Sequence, residues 1–201
     1  MSMRHTIILS IFMSLLVAGC TESAKQPAAQ QTPDSLIIDP NFSPAEKDVT
    51  LYGLFLEYGG DSLHMITDAG DTVSFAASAR AIKGRPNVGD RLAVVMDKNK
   101  RKARVAIDIS MLMGVWMMPN PIDGSNEVGI RFLDGGIAEG VNQSTTVYQS
   151  WRLMNGKLLI TSVDSDDESY VLTSTYRIQK LTPDSLVYSD ENETLEYYRN
   201  K

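Results

Sequence analysis

Short apolar runs that alternate with polar positions, broken by Gly, Asp and Asn, dominate this chain from residue 48 onward. Such period-2 alternation marks half-buried strands, and the breakers mark turns. In the first folded stretch the pattern predicts strands over 49–58, 63–67, 72–76, 91–97 and 104–110, with one helical turn over 77–82. In the second it predicts strands over 112–118, 127–133, 137–141, 147–154, 157–164, 170–181, 186–188 and 194–199. Asp134-Gly135-Gly136 and Asn155-Gly156 supply residues that accept positive φ and predict tight hairpins. The fold class is all-β. Three strands, a helical link and two strands over 48–110 form the order of a five-stranded OB-like barrel, and 111–201 reads as an eight-stranded up-and-down barrel.

Upstream of these strands the pattern changes. Arg4, an apolar run over 7–17 and then Leu16-Val17-Ala18-Gly19-Cys20 give the order of charge, apolar core and small residues that an export machinery reads, in a run too short to span a bilayer. The small residues before the cysteine resemble the lipobox of bacterial lipoproteins. That resemblance implies a signal peptide over 1–19, acylation of Cys20 and, with several acyl chains, stable anchoring on a membrane. Residues 20–47 are rich in Ala, Gln, Ser, Pro and Thr and read as a flexible tether. The expected location is the cell envelope, at the outer membrane.

Composition narrows the chemistry. Cys20 is the single cysteine, and only His64 remains once His5 leaves with the signal, so a thiol nucleophile, a disulfide and a histidine metal site are excluded within one chain. No metal and no cofactor are expected. Without residues 1–19 the chain has 18 basic and 25 acidic residues, a net charge of −7, which argues against a nucleic-acid partner. Asp61, Ser62 and His64 lie too close along one strand to converge as a triad.

Gly114-Val115-Trp116 resembles the Gly-x-Trp that opens the first strand of lipocalins, and Arg199 stands near the end of the last strand, where that family has a basic residue. The resemblance implies a small lipocalin-like barrel closed by Gly114, Trp116 and Arg199, with the cation over the ring. Alternation places Tyr170, Leu172, Tyr176 and Ile178 on one face of their strand, and Leu195 and Tyr197 on one face of theirs, as candidate barrel-lining residues.

Three further features carry candidate chemistry. Lys98, Lys100, Arg101, Lys102 and Arg104 concentrate positive charge in one turn and are candidate contacts for an anionic glycan or lipid headgroup. Asp-Ser-Leu at 34–36, 61–63 and 184–186 is good turn chemistry, and it also resembles an O-glycosylation acceptor of some Gram-negative envelope proteins, with Ser35 the candidate site. Asp164-Ser165-Asp166-Asp167-Glu168 has the carboxylate density of a calcium loop without its glycine or distant glutamate, and reads as a hairpin turn. The expected function is non-catalytic binding of a small apolar or amphipathic molecule, or of an envelope protein or glycan. The alternatives are a structural or accessory subunit of an envelope assembly and a carboxylate-dependent hydrolase.

Overall fold

The computed structural model describes residues 47–200 apart from Asp123, Ser125, Ser144 and Glu168. The expected export signal, Cys20, Ser35 and the expected tether up to residue 46 lie outside the described residues.

The first sheet contains β1 (Leu51–Gly59), β2 (Ser62–Thr67), β3 (Thr72–Ala76), β4 (Ile82–Lys83), β5 (Arg91–Met96) and β6 (Ala103–Asp108), in the order β3-β2-β1-β5-β6-β4. Its six strands include one more than the alternation predicts. Residues 77–82 form no helical turn; Ile82–Lys83 instead runs parallel to β6, pairing with Ala106 and Ile107. β3 and β4 share the outer edge of β6, since a single parallel bridge joins Ala76 to Lys102 just before β6 begins. Phe55, Leu63, Met65, Phe75, Leu92 and Val94 fill this module's own core.

Between the modules lies α1 (Ile109–Leu112), one turn where the alternation predicts the end of one strand at residue 110 and the start of the next at 112. Asp108 sets it: its carboxylate accepts a hydrogen bond from Met111 N at 2.8 Å, satisfying an amide that the first turn leaves without an intrahelical partner. Ile109 and Leu112, three residues apart, are both buried, so one turn packs two apolar side chains inward. The next strand therefore starts at Gly114 instead of Leu112.

The second sheet is an eight-stranded, nearly closed antiparallel barrel. It comprises β7 (Gly114–Pro119), β8 (Glu127–Phe132), β9 (Ala138–Val141), β10 (Thr146–Met154), β11 (Lys157–Asp164), β12 (Val171–Leu181), β13 (Ser185–Ser189) and β14 (Thr194–Arg199). Consecutive strands pair, β14 returns to β7, and the gap between β9 and β10 is bridged by Ile137 and Ser150. Asn155 and Gly156 close β10–β11 as a two-residue turn with φ of 53° and 79°. The β8–β9 connection is instead a short 3₁₀ turn, Asp134–Gly136.

Up-and-down order gives the barrel two unlike ends. At one, α1 and strands β5 and β6 lie beneath the barrel, so Ala93, Ile107, Ile109 and Leu112 share a core with Trp116, Phe132, Trp151 and Leu158. The β10–β11 turn also reaches the first sheet here, where a Cβ on Gly156 would stand 2.5 Å from Val105 Cγ1. Turns β7–β8, β9–β10, β11–β12 and β13–β14 ring the other end.

Candidate functional site

At the covered end, Trp116 is fully buried (0% exposed) and its indole Nε1 donates to Leu112 O at 2.7 Å. The Arg199 guanidinium lies over the ring, 4.0 Å from its centroid. It donates to Met113 O at 2.8 Å through Nη1, to Pro183 O at 3.0 Å through Nε, and to Met111 O through Nη2. Burial lowers the affinity of this guanidinium for its proton from the ordinary arginine value. Gly114, with φ of +118°, leaves room for it, because a Cβ there would lie 2.5 Å from Arg199 Nη1. Each part of Gly-x-Trp therefore has a physical task in a closing plug that ties α1, β7 and β14 together. Met117 is buried, and Met111, Met113 and Met118 are partly buried against the core, Met111 and Met113 beside the plug.

Toward the ringed end the interior turns aromatic and polar. Tyr188 stacks on Tyr197 at 5.3 Å and 24°, and lies against Tyr176 at 4.7 Å. Tyr188 OH donates to Tyr197 OH at 3.1 Å. Tyr148, on β10, joins the group: burial, then Tyr176 and Glu193, push its phenol up to about 12. Burial likewise raises Tyr176, Tyr188 and Tyr197, so all four are neutral phenols at physiological pH. Glu193, in the β13–β14 turn, is close enough to act on Tyr148, Tyr176 and Tyr197. Half-buried Met118 and Leu195 sit around the tyrosines, with Ser162 as a buried hydroxyl.

Of the residues that alternation nominated as lining, Tyr176, Ile178 and Tyr197 are buried in the barrel core and Leu195 packs at its edge. Two require correction. Tyr170 precedes β12 and is 60% exposed in the β11–β12 turn, because the strand starts one residue later than expected. Leu172 does share a face with Tyr176, but it is 42% exposed: it pairs with Ser162 near the strand's outer end, where the barrel no longer covers it. The alternation reads faces correctly and is blind to how far a strand projects.

The basic turn is divided by the fold. Arg101 and Lys102 are engaged through their backbones with β3, by Ala76 N donating to Arg101 O at 2.9 Å and by the Ala76–Lys102 bridge. Lys98, Lys100 and Arg104 line a surface groove instead. The acidic run ends up as a turn in which Asp164 Oδ1 accepts from Asp166 N at 2.8 Å and Asp167 Oδ1 from Ser169 N at 3.0 Å. Among the described residues no group of three or more His, Cys, Asp or Glu side chains is arranged to hold a metal ion, and no helix is long and apolar enough to cross a membrane.

What sequence reasoning missed is the pair Tyr148 and Tyr188. Each lies in a strand the pattern located, but their convergence depends on β10 and β13 facing each other across the barrel, which no local spacing encodes. A tyrosine count of 8 was the only available signal.

A barrel of consecutive antiparallel strands, plugged at one end by a tryptophan under an arginine, defines the lipocalin-like class. Residues 108–201 match the family model described as lipocalin-like. A lipocalin-like protein from Bacteroides thetaiotaomicron VPI-5482, known from its crystal structure, is 32% identical over 45% of this chain and 97% of that one, with a TM-score of 0.40. Residues 108–201 are therefore a lipocalin-like domain. A comparison with curated proteins finds no match.

Proposed function

We propose that the protein is a non-catalytic lipoprotein of the cell envelope, anchored through acylated Cys20, whose barrel binds a small amphipathic molecule at its tyrosine-lined end. The carrying observation is the convergence of Tyr148, Tyr176, Tyr188 and Tyr197. Tyr176, Tyr188 and Tyr197 are packed together in the core with Tyr148 partly buried against them, so a ligand entering here would meet apolar rings and neutral hydroxyls without a buried charge. Lipocalin-like barrels suit small hydrophobic ligands, and the hydroxyls add a preference for one with a polar group. A molecule held there meets a floor of rings, with Met118 and Leu195 at its sides.

The strand order of the first sheet, with its parallel bridge from β3 to the start of β6, supports reading 48–110 as an OB-type module and 111–201 as the binding module. The first module's share is to carry the barrel, since β5, β6 and α1 supply the floor of its covered end. Outer-membrane location follows from the lipobox resemblance together with Thr21 after Cys20, which provides no recognisable inner-membrane retention signal.

Purification of the native protein from its own envelope, organic extraction and mass spectrometry test the binding role. A recurrent co-purifying amphiphile, lost from a Tyr148→Ala variant, is the expected result. Consistently empty native protein overturns the binding role. Intact mass tests the anchor separately, because acylation adds lipid mass to a chain that begins at Cys20.

A further inference from the structure

The Asn155-Gly156 turn also builds a surface on the first module. Asn155 Oδ1 accepts from Val49 N at 2.9 Å, Asn155 Nδ2 donates to Lys47 O at 3.2 Å, and Asn155 N donates to Thr50 Oγ1 at 2.8 Å. Residues 47–50 are thus pinned as one wall of a groove of about 590 Å³, and the 97–104 turn forms the other. Lys47, Lys98, Lys100 and Arg104 line it with positive charge, while Val49, Leu51 and Met96 give it an apolar component. Val49 is 57% exposed, so that component reaches the surface.

Two carboxylates also line the groove, and both are already engaged by the backbone. Asp48 Oδ1 accepts from Thr50 N at 2.9 Å. Asp97 Oδ1 accepts from Arg101 N at 2.9 Å and Lys102 N at 3.2 Å, and these amides hold its carboxyl below the usual range. The four cations take part in no ion pair among the described residues. A concentrated cationic site beside exposed apolar side chains, on a chain of net charge −6, matches an anion that carries an acyl portion.

We propose that this groove docks the protein on an anionic lipid surface, with lipid phosphates among Lys47, Lys98, Lys100 and Arg104 and Val49 turned toward the acyl region. The inference rests on the envelope-lipoprotein reading, in which the chain runs from Lys47 back to an acylated Cys20 in the same membrane. Charge complementarity supplies the affinity, and the anchor supplies the local concentration. The groove adjoins the β10–β11 turn, at the covered end of the barrel, so docking there points the tyrosine-lined end away from the bilayer.

The full chain, purified from membranes, is mixed with vesicles of phosphatidylcholine alone or of phosphatidylcholine with phosphatidylglycerol, and amide hydrogen exchange is followed. Slower exchange over 47–51 and 96–104 only with the anionic lipid, reversed by salt, is the expected result. Each cation removed should weaken the lipid-dependent effect about fivefold, so Lys98→Glu/Lys100→Glu/Arg104→Glu should abolish it while leaving exchange in β11 and β13 unchanged. Equal exchange in both vesicles, or protection that survives in the triple variant, overturns the proposal. So does equal protection by inorganic phosphate without vesicles, which would make this a site for a free anion. The intact mass of the same sample reads acylation independently: a chain without acyl groups that still shows lipid-dependent protection removes the anchor and leaves the groove.

Discussion

Replacing Trp116 with alanine tests the closing plug where it is most tightly specified. The side chain is fully buried, and deleting a buried tryptophan costs about 3–5 kcal/mol in lost transfer and cavity terms. Two local losses set the position within that range. Leu112 O loses the indole N–H at 2.7 Å, a contribution of about 1 kcal/mol. Arg199 loses the ring 4.0 Å from its guanidinium, a contact of about 1–2 kcal/mol in a partly desolvated setting. Both fall on the upper side, so a loss of about 4–5 kcal/mol is expected, or roughly 10 °C in Tm for a folded unit of this size.

Urea unfolding followed by far-UV circular dichroism is the suitable assay, since removing the tryptophan also removes a fluorescence probe. Trp116→Ala, Arg199→Met and the double variant form a cycle, and a coupling of about 1–2 kcal/mol isolates the cation over the ring. Trp116→Phe should recover part of the cavity cost but not the hydrogen bond. A loss under about 1 kcal/mol for Trp116→Ala, or a coupling near zero, would refute the assignment of this pair as the structural closure of the barrel.

Other perturbations separate effects that a static view merges. Gly156→Ala should destabilise by about 2–3 kcal/mol, because a Cβ there adds a 2.5 Å contact with Val105 to its positive φ, whereas Gly135→Ala, with φ of +72° and open space around it, should cost about 1 kcal/mol; thermal melts of the two compare them directly. Asp108 is completely buried and burial raises its carboxyl above the usual value, so its ionised form opposes folding at neutral pH and that penalty disappears as pH falls through the raised value. Asp108→Asn keeps an oxygen to cap Met111 N and should therefore raise the urea midpoint at neutral pH, with the gain shrinking in acid. The buried tyrosines act in the opposite pH range: their folded values lie above the ordinary 10, so stability should fall as pH rises past 10 toward about 12, and Tyr148→Phe should flatten part of that fall in urea titrations at stepped pH.

The strands were legible because most of them present one face to a core and the other to water, so period 2 is written into residue choice. β3 and β14 have the expected bounds, and β11 runs over its predicted 157–164. β4 was not legible: two residues pairing with β6 carry no periodicity, and their strand identity comes from the parallel partner. α1 was hidden for a related reason. Ile109 and Leu112 are spaced for one helical face and would fall on opposite faces of a strand, but four residues are too short a window to separate the two periods, and the Asp108 carboxylate on Met111 N sets the turn. The closing plug could be read because its three residues form a family pattern, while the physical reason for the glycine appears only once Arg199 Nη1 is seen to occupy the space of its missing Cβ.

Asn155-Gly156 shows most clearly what local pattern reading leaves out. Two positive-φ residues between apolar strands announce a hairpin, and the hairpin is there. Yet the same turn holds the chain at 47–50 through three hydrogen bonds, and its glycine lies against Val105 and Val95 of the other module. A type I′ turn asks only for φ; alanine at Gly156 would be penalised by φ and again by a neighbour 51 residues earlier in the chain. The two modules therefore share a core and a turn, so a lesion at Gly156 should loosen both. Hydrogen exchange that quickens in β5 and β6 as well as in β10 and β11 of Gly156→Ala is the expected signature, and quickening confined to the barrel would mean that the modules fold independently of this contact.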